Sequence, residues 1–385
     1  MEAPIYFDYH ATTPCDPRVV EAMLPYFTLE FGNPSSGLHS LGRRAARAVD
    51  TAREQIASLI GATPDEIVFT SGATESNNIV IHGLALARSE RRRIVTTAIE
   101  HKAVLEPCRR LAAQGFDVAV LPVERDGTVD LQAAEEAITD DTLLVTIQLA
   151  SNEIGTIQPL RAIAELAKRR GALLHTDAAQ AVGKIPVDID ALRVDFLSIS
   201  GHKLYGPKGI GALFVRSGLR RRLVPLAQGG GQEADLRPGT LNVPGIVGLG
   251  EACAVCAVEM HDEAVRVASL RDQLEAHLVA AIPGLQINGN LQNRLPGNSS
   301  LTFPAVEADA LIANLPGVAL STGSACTSGT IEPSHVLTAI GLSREAADAT
   351  VRIGLGRFTT SEEIEAAARL ISEAWMKLAA AASRS

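Results

Sequence analysis

The middle of the chain alternates between short apolar runs and longer amphipathic stretches. Strand-like runs fall at Glu66–Thr70, Ile94–Thr97, Asp117–Leu121, Leu143–Leu149, Leu173–Thr176 and Asp195–Ser200. Their apolar residues are nearly continuous, as in strands buried on both faces. Helix-like stretches lie between them, for example Val104–Gln114 and Ala162–Arg170. This strand–helix–strand alternation predicts an α/β fold with a mostly parallel sheet covered on both sides. Gly209–Val215 follows the previous strand closely and predicts one antiparallel strand.

After Gly245 the pattern changes. A helical stretch from about Ile246 to Ala280, strand-like segments at Asn298–Phe303 and Val351–Leu355, and a last helix over about Glu362–Ala379 predict a smaller α+β domain. The boundary falls inside the long helix: residues 15–258 form the large domain, and 259–385 the small one. The first fourteen residues are too short for a domain and are grouped with the small one.

The 385 residues are 46% hydrophobic and 21% charged, a globular composition with room for a core that hides a cofactor. The net charge of −9 argues against nucleic-acid binding, which needs surplus Lys and Arg. The runs Arg91–Arg93 and Arg220–Arg222 read as solvated faces. No uncharged apolar run approaches the ~18 residues of a membrane helix, and the start has neither a basic nor an apolar leader region. Five scattered cysteines (Cys15, Cys108, Cys253, Cys256 and Cys326) make no disulfide framework and predict a reducing cytoplasm. Cys253 and Cys256 have redox-motif spacing, but their Ala-rich helical surroundings predict core positions.

Five clusters occupy the carboxyl ends of predicted strands, where open α/β sheets bind ligands. In Ser200-Gly-His-Lys-Leu-Tyr-Gly-Pro-Lys208, Lys203 is a candidate for Schiff-base chemistry. Asp177, in His175-Thr-Asp-Ala-Ala-Gln180, reads either as a helix cap or as the partner of a protonated pyridine nitrogen. Thr70-Ser-Gly-Ala-Thr-Glu-Ser-Asn77 opens a helix, so it reads as a capped terminus, a phosphate cradle, or both; Ala73 and Thr74 would sit there. His101 reads as structural, or as a ring-stacking proton carrier. Asn152 follows a strand as either a turn residue or a ligand contact.

Farther on, Ser321-Thr-Gly-Ser-Ala-Cys-Thr-Ser-Gly-Thr330 is uncharged and cannot pack a core. It predicts a mobile surface loop, and a thiol there is a better nucleophile than structural residue. Arg352 reads as a carboxylate clamp or an ordinary ion pair. Thr240 is a spare hydroxyl beside a Gly-rich stretch.

With these motifs assembled, from Asp8-Tyr-His-Ala-Thr-Thr-Pro14 through Ser200-Gly-His-Lys203 and Gly323-Ser-Ala-Cys-Thr-Ser328 to Leu355-Gly-Arg-Phe-Thr359, the chain resembles the cysteine desulfurases of the NifS/IscS type. The resemblance implies a fold-type-I enzyme dependent on pyridoxal 5'-phosphate and a homodimer. It implies that Lys203 carries the cofactor, Asp177 pairs with its ring nitrogen, His101 stacks on the ring and Gln180 bonds its phenolic oxygen. Ala73, Thr74, Ser200, Gly201 and His202 would hold the phosphate, and Thr240 would reach that of the partner subunit. Asn152 and Arg352 would bind the carboxylate of L-cysteine, and Cys326 would accept its sulfur, leaving L-alanine. The sulfur would pass to an acceptor protein, an iron–sulfur scaffold or a thiolation carrier. No metal is expected. A selenocysteine lyase or another lyase or aminotransferase of this fold is the alternative. The chain stops soon after Trp375, which leaves tRNA thiolation and DNA sulfur modification open beside scaffold delivery.

Overall fold

The computed structural model describes residues 4–87, 89–322 and 333–382. Its twelve described strands are β1 (Ile5–Tyr6), β2 (Ile67–Thr70), β3 (Arg93–Thr97), β4 (Asp117–Leu121), β5 (Thr142–Thr146), β6 (Leu173–Asp177), β7 (Phe196–Ser200), β8 (Gly211–Val215), β9 (Gln286–Asn288), β10 (Asn298–Thr302), β11 (Val318–Ala319) and β12 (Thr350–Gly354). Seven form one sheet in the order β2-β8-β7-β6-β5-β3-β4. Every pairing in it is parallel except those of β8, which runs against both neighbours. The expected mostly parallel sheet with one reversed strand is thus present.

The strands are apolar throughout because both faces are covered. In β8, Ala212 and Phe214 face one core, with the helix Ser40–Ile60 and the first half of the helix Val243–Ala281. Leu213 and Val215 face the other, with the helices Ala73–Leu86 and Lys102–Ala112. This is the period-two alternation of a pleated strand. The helix Ser40–Ile60 turns Ala45, Val49, Ala52, Ile56 and Ile60 to that first core, begins on the His39 side chain and stops at Gly61, whose φ is +72°.

β5 ends three residues earlier than the apolar pattern predicts. The amides of Ile147 and Leu149 still donate to carbonyls of β6, at His175 and Asp177. The amide of Gln148 instead donates to the Glu100 carboxylate at 2.9 Å. A buried side chain has taken the place of the neighbouring strand.

The long helix Val243–Ala281 serves two cores. Ile246, Leu249, Cys253 and Cys256 pack into the first; Val267, Leu270, Leu274 and Leu278 pack with β10, β12, Phe7 and the helix Ser361–Ala382 into another. Among the described residues this helix alone has the length and composition to cross a membrane; its buried side chains belong to these cores, while Val258, Val265 and Val279 stay exposed. β12-β10-β9 form an antiparallel sheet, and β1 pairs with β11. The N-terminal segment, through β1 and Phe7, therefore ties to the core of the second half of the long helix before reaching the large sheet.

Candidate active site

At the carboxyl ends of β2 and β5–β7 lies a cavity of about 620 Å³. Its lining includes Ala73, Thr74, His101, Asn152, Asp177, Gln180, Ser200, His202, Lys203 and Arg352. Residues up to 279 positions apart in the chain, proposed one motif at a time, meet around one space. Three sequence candidates stand apart. Gly201 lies behind the wall with its N–H donated to Ile210 O at 3.0 Å. Thr240 is exposed and outside this lining. Cys326 falls outside the described residues.

Lys203 follows β7 in a single helical turn. Its ammonium donates to the carbonyls of His10 and, at 2.8 Å, Ala11. Asp177 ends β6, 7% exposed. One oxygen accepts the Ala179 N–H at 3.0 Å, the cap-like bond expected of a turn residue. The other accepts the Asn77 amide at 2.7 Å. Beneath it His175 bridges Thr146 Oγ1 at 2.8 Å and Ser198 Oγ at 3.0 Å. Burial holds that imidazole down to about 4, so it is neutral.

The turn after β2 passes through Gly72 at φ +151°, and the helix Ala73–Leu86 begins there. A side chain at Gly211 would lie 2.5 Å from Gly72 Cα, so glycine lets β8 press against this turn. Glu75 accepts the N–H of Ser71, the residue before the N-cap Gly72, instead of closing a capping box on the N-cap itself, and pairs with Arg237 at 3.0 Å. Hydroxyls and amides of a helix start thus line one end of the cavity. His202, with Nδ1 3.1 Å from Thr12 Oγ1, is lowered to about 4 by burial and then by Lys203.

His101 caps the helix Lys102–Ala112: its Nδ1 accepts the Ala103 N–H at 3.0 Å, which puts the neutral ring's proton on Nε2. Just before it, the fully buried Glu100 accepts from Thr97 Oγ1 at 2.7 Å and from Gln148 N. Burial raises its carboxyl to about 8. Arg352, on β12, pairs with Asp8 at 2.8 Å and donates to Asn152 O at 3.3 Å. Its ion pair and its place in the cavity wall coexist.

Sequence reasoning missed Asn77, Gln148, His10 and Asp8 as site residues. Asn77, Asp8 and His10 stood inside quoted motifs. Asn77 lies one helical turn after Thr74, on a turn otherwise read only for its first residues, and burial of an amide there was the available signal.

An amine, a buried carboxylate with two fixed hydrogen bonds and a helix start around one cavity suit pyridoxal phosphate: the amine for its aldehyde, the carboxylate for its ring nitrogen, the amides for its phosphate.

Residues 5–367 match the aminotransferase class-V family. The chain is 50% identical over 379 residues to the cysteine desulfurase IscS of Anaeromyxobacter dehalogenans (strain 2CP-C), covering 98% of this chain and 94% of that protein. A solved NifS-like protein superposes with a TM-score of 0.91 at 39% identity, covering 97% of this chain and 100% of the other. A structure of SspA in complex with cysteine gives 0.82 at 42% identity, covering 92% and 100%. These likenesses favour desulfuration over the alternative lyase and aminotransferase readings. The chain belongs to the class-V aminotransferase family, as a cysteine desulfurase of the NifS/IscS type that depends on pyridoxal phosphate.

Proposed function

We propose that the enzyme leaves the sulfur of L-cysteine as a persulfide on Cys326. The meeting of Lys203, Asp177, His101, Asn152 and Arg352 around one cavity carries this reading. The cofactor, held by Lys203, supplies an electron sink that labilises bonds at the substrate's Cα and Cβ. Asp177, fixed by Asn77 and Ala179 N, holds the ring nitrogen. His101, with its proton on Nε2, and the amine of Lys203 move the proton at Cα. Gln180 bonds the phenolic oxygen. Ser200, His202, Ala73 and Thr74 secure the phosphate, with Gly201 shaping the turn behind them, and Thr240 reaches that of the partner in a homodimer. Arg352 and Asn152 orient the carboxylate of L-cysteine. The thiolate of Cys326 attacks the substrate sulfur; the C–S bond breaks, an S–S bond forms, and a proton completes L-alanine.

Both flanks of the Cys326 segment support this role. Ser321 exchanges backbone hydrogen bonds with Arg352, the shorter at 2.7 Å. Ser334 donates to Glu153 Oε2 at 2.5 Å, and His335 Nε2 lies 2.9 Å from Glu100 O. The described residues on either side of it are thus both bonded to residues of the cavity wall, Arg352 on one side and Glu153 and Glu100 on the other. The persulfide would pass to a sulfur-acceptor protein in the cytoplasm. Residues 15–258 form the cofactor-binding domain, and 1–14 with 259–385 the one carrying the cysteine.

The test is alanine and sulfide release from L-cysteine with dithiothreitol. Wild type should yield both in equal amounts, and Cys326→Ala neither. Equal alanine from both proteins would remove Cys326 from the reaction. Lys203→Ala should lose the covalently held cofactor, and normal turnover by that variant would refute its role.

A further inference from the structure

Gln180 lines the cavity, and its amide is fully specified by its neighbours. Its Oε1 accepts from Lys184 Nζ at 2.9 Å and lies 3.1 Å from His10 Nδ1. Its Nε2 donates to His10 O at 3.0 Å. An amide oxygen has two lone pairs and the nitrogen two hydrogens. The oxygen is therefore saturated, and one N–H remains for a ligand. The reverse orientation would set an NH₂ against an ammonium. The same pattern requires His10 to carry its proton on Nδ1, because Oε1 can only accept.

We propose that Lys184 is a positioning residue: by holding Gln180 Oε1, it turns the amide N–H toward the cofactor's phenolic oxygen and sets how tightly the neighbouring Lys203 nitrogen holds its proton. This rests on the reading above, in which Gln180 meets that oxygen. Lys184 follows β6 in the turn that carries Gln180. It is faced by the charges of Lys203, Arg352 and Glu263 and by Cys256, and by His10. Burial first, and then Lys203, bring its ammonium down to about 7. A donor on the phenolic oxygen disperses the negative charge there, so the adjacent nitrogen releases its proton more easily. Without that donor the proton is held longer.

The full-length protein is reconstituted with pyridoxal phosphate, and the visible absorbance of the bound cofactor is titrated against pH. Wild type is compared with Lys184→Met, Gln180→Ala and the double variant. Each single variant should raise the pH midpoint by about one unit and weaken cofactor affinity about tenfold. The double variant should shift no further than Gln180→Ala alone, since Lys184 acts through Gln180. Lys184→Arg, which keeps a charged donor, should stay near wild type. Lys184→Gln, polar but too short to reach Gln180, carries the same expectation as Met where Met does not fold. An unchanged midpoint in both Lys184→Met and Lys184→Gln overturns the proposal. So do shifts that add in the double variant, because they would make Lys184 a distant charge. A wild type whose cofactor borohydride does not fix to Lys203 would instead sink the parent assignment.

Discussion

Replacing Glu100 by Gln makes the buried carboxyl permanently neutral with little change of shape. Glu100 is fully buried, and burial raises its carboxyl from 4.5 to about 8. Between these values the folded protein keeps a proton that the unfolded chain has released. Stability contributed by this group is therefore full below about 4.5 and falls as pH rises toward 8. The gap corresponds to a loss on the order of 3–5 kcal/mol across the window. Glu100→Gln should match wild type at about pH 5 and exceed it by an amount of that order at about pH 9. Urea unfolding of both proteins across this range gives the difference directly. Two stability curves running parallel from pH 5 to 9 would refute the reasoning, because they would mean that Glu100 is ionised in the fold.

Three further outcomes follow from the same geometry. Asn77→Leu leaves one oxygen of buried Asp177 without its 2.7 Å donor, so the cofactor-free protein should lose about 2 kcal/mol in urea unfolding; a loss under a few tenths would show that the bond is not formed. His175 and His202 are both depressed to about 4. Their stabilising contribution is full above the ordinary value of 6.5 and is lost as pH falls toward 4, so His175→Gln should show a stability slope over that range shallower by up to about one proton; an unchanged slope contradicts a neutral His175. Ser334→Ala removes the bond to Glu153 and should slow persulfide formation on Cys326 while leaving the cofactor's absorbance intact; equal rates would separate the segment's anchor from the chemistry.

Much of this was legible in the sequence because strand ends and motif residues are local. Ser200, Lys203 and Asp177 could be assigned to one rim from the apolar runs before them. Lys203 was recognisable by type, and its burial partners were not. His10 and Gln180 are 170 positions apart, and Asp8 and Arg352 are 344. No periodicity encodes which of two distant polar residues will meet. Glu100 shows the limit most plainly. It sits beside a residue chosen for its chemistry, yet its capture of the Gln148 amide, which shortens β5, depends on tertiary burial. Lys184 went unnoticed for the same reason: four residues past Gln180 it reads as a loop lysine until the fold encloses it.

The pairing of Ile5 with Val318 and of Asp8 with Arg352 also fixes an order of events during synthesis. The ribosome emits chain at about 5–20 residues per second. The large sheet from β2 to β8 can close while the rest is still being made, but the first dozen residues have no strand to join and no guanidinium to meet until nearly the whole chain has emerged. They also supply the carbonyls that hold Lys203. Residues 10–13 can already close over the amine once β7 is made, whereas the Asp8–Arg352 wall of the pocket is completed last, when the oldest residues meet a strand made near the end of synthesis.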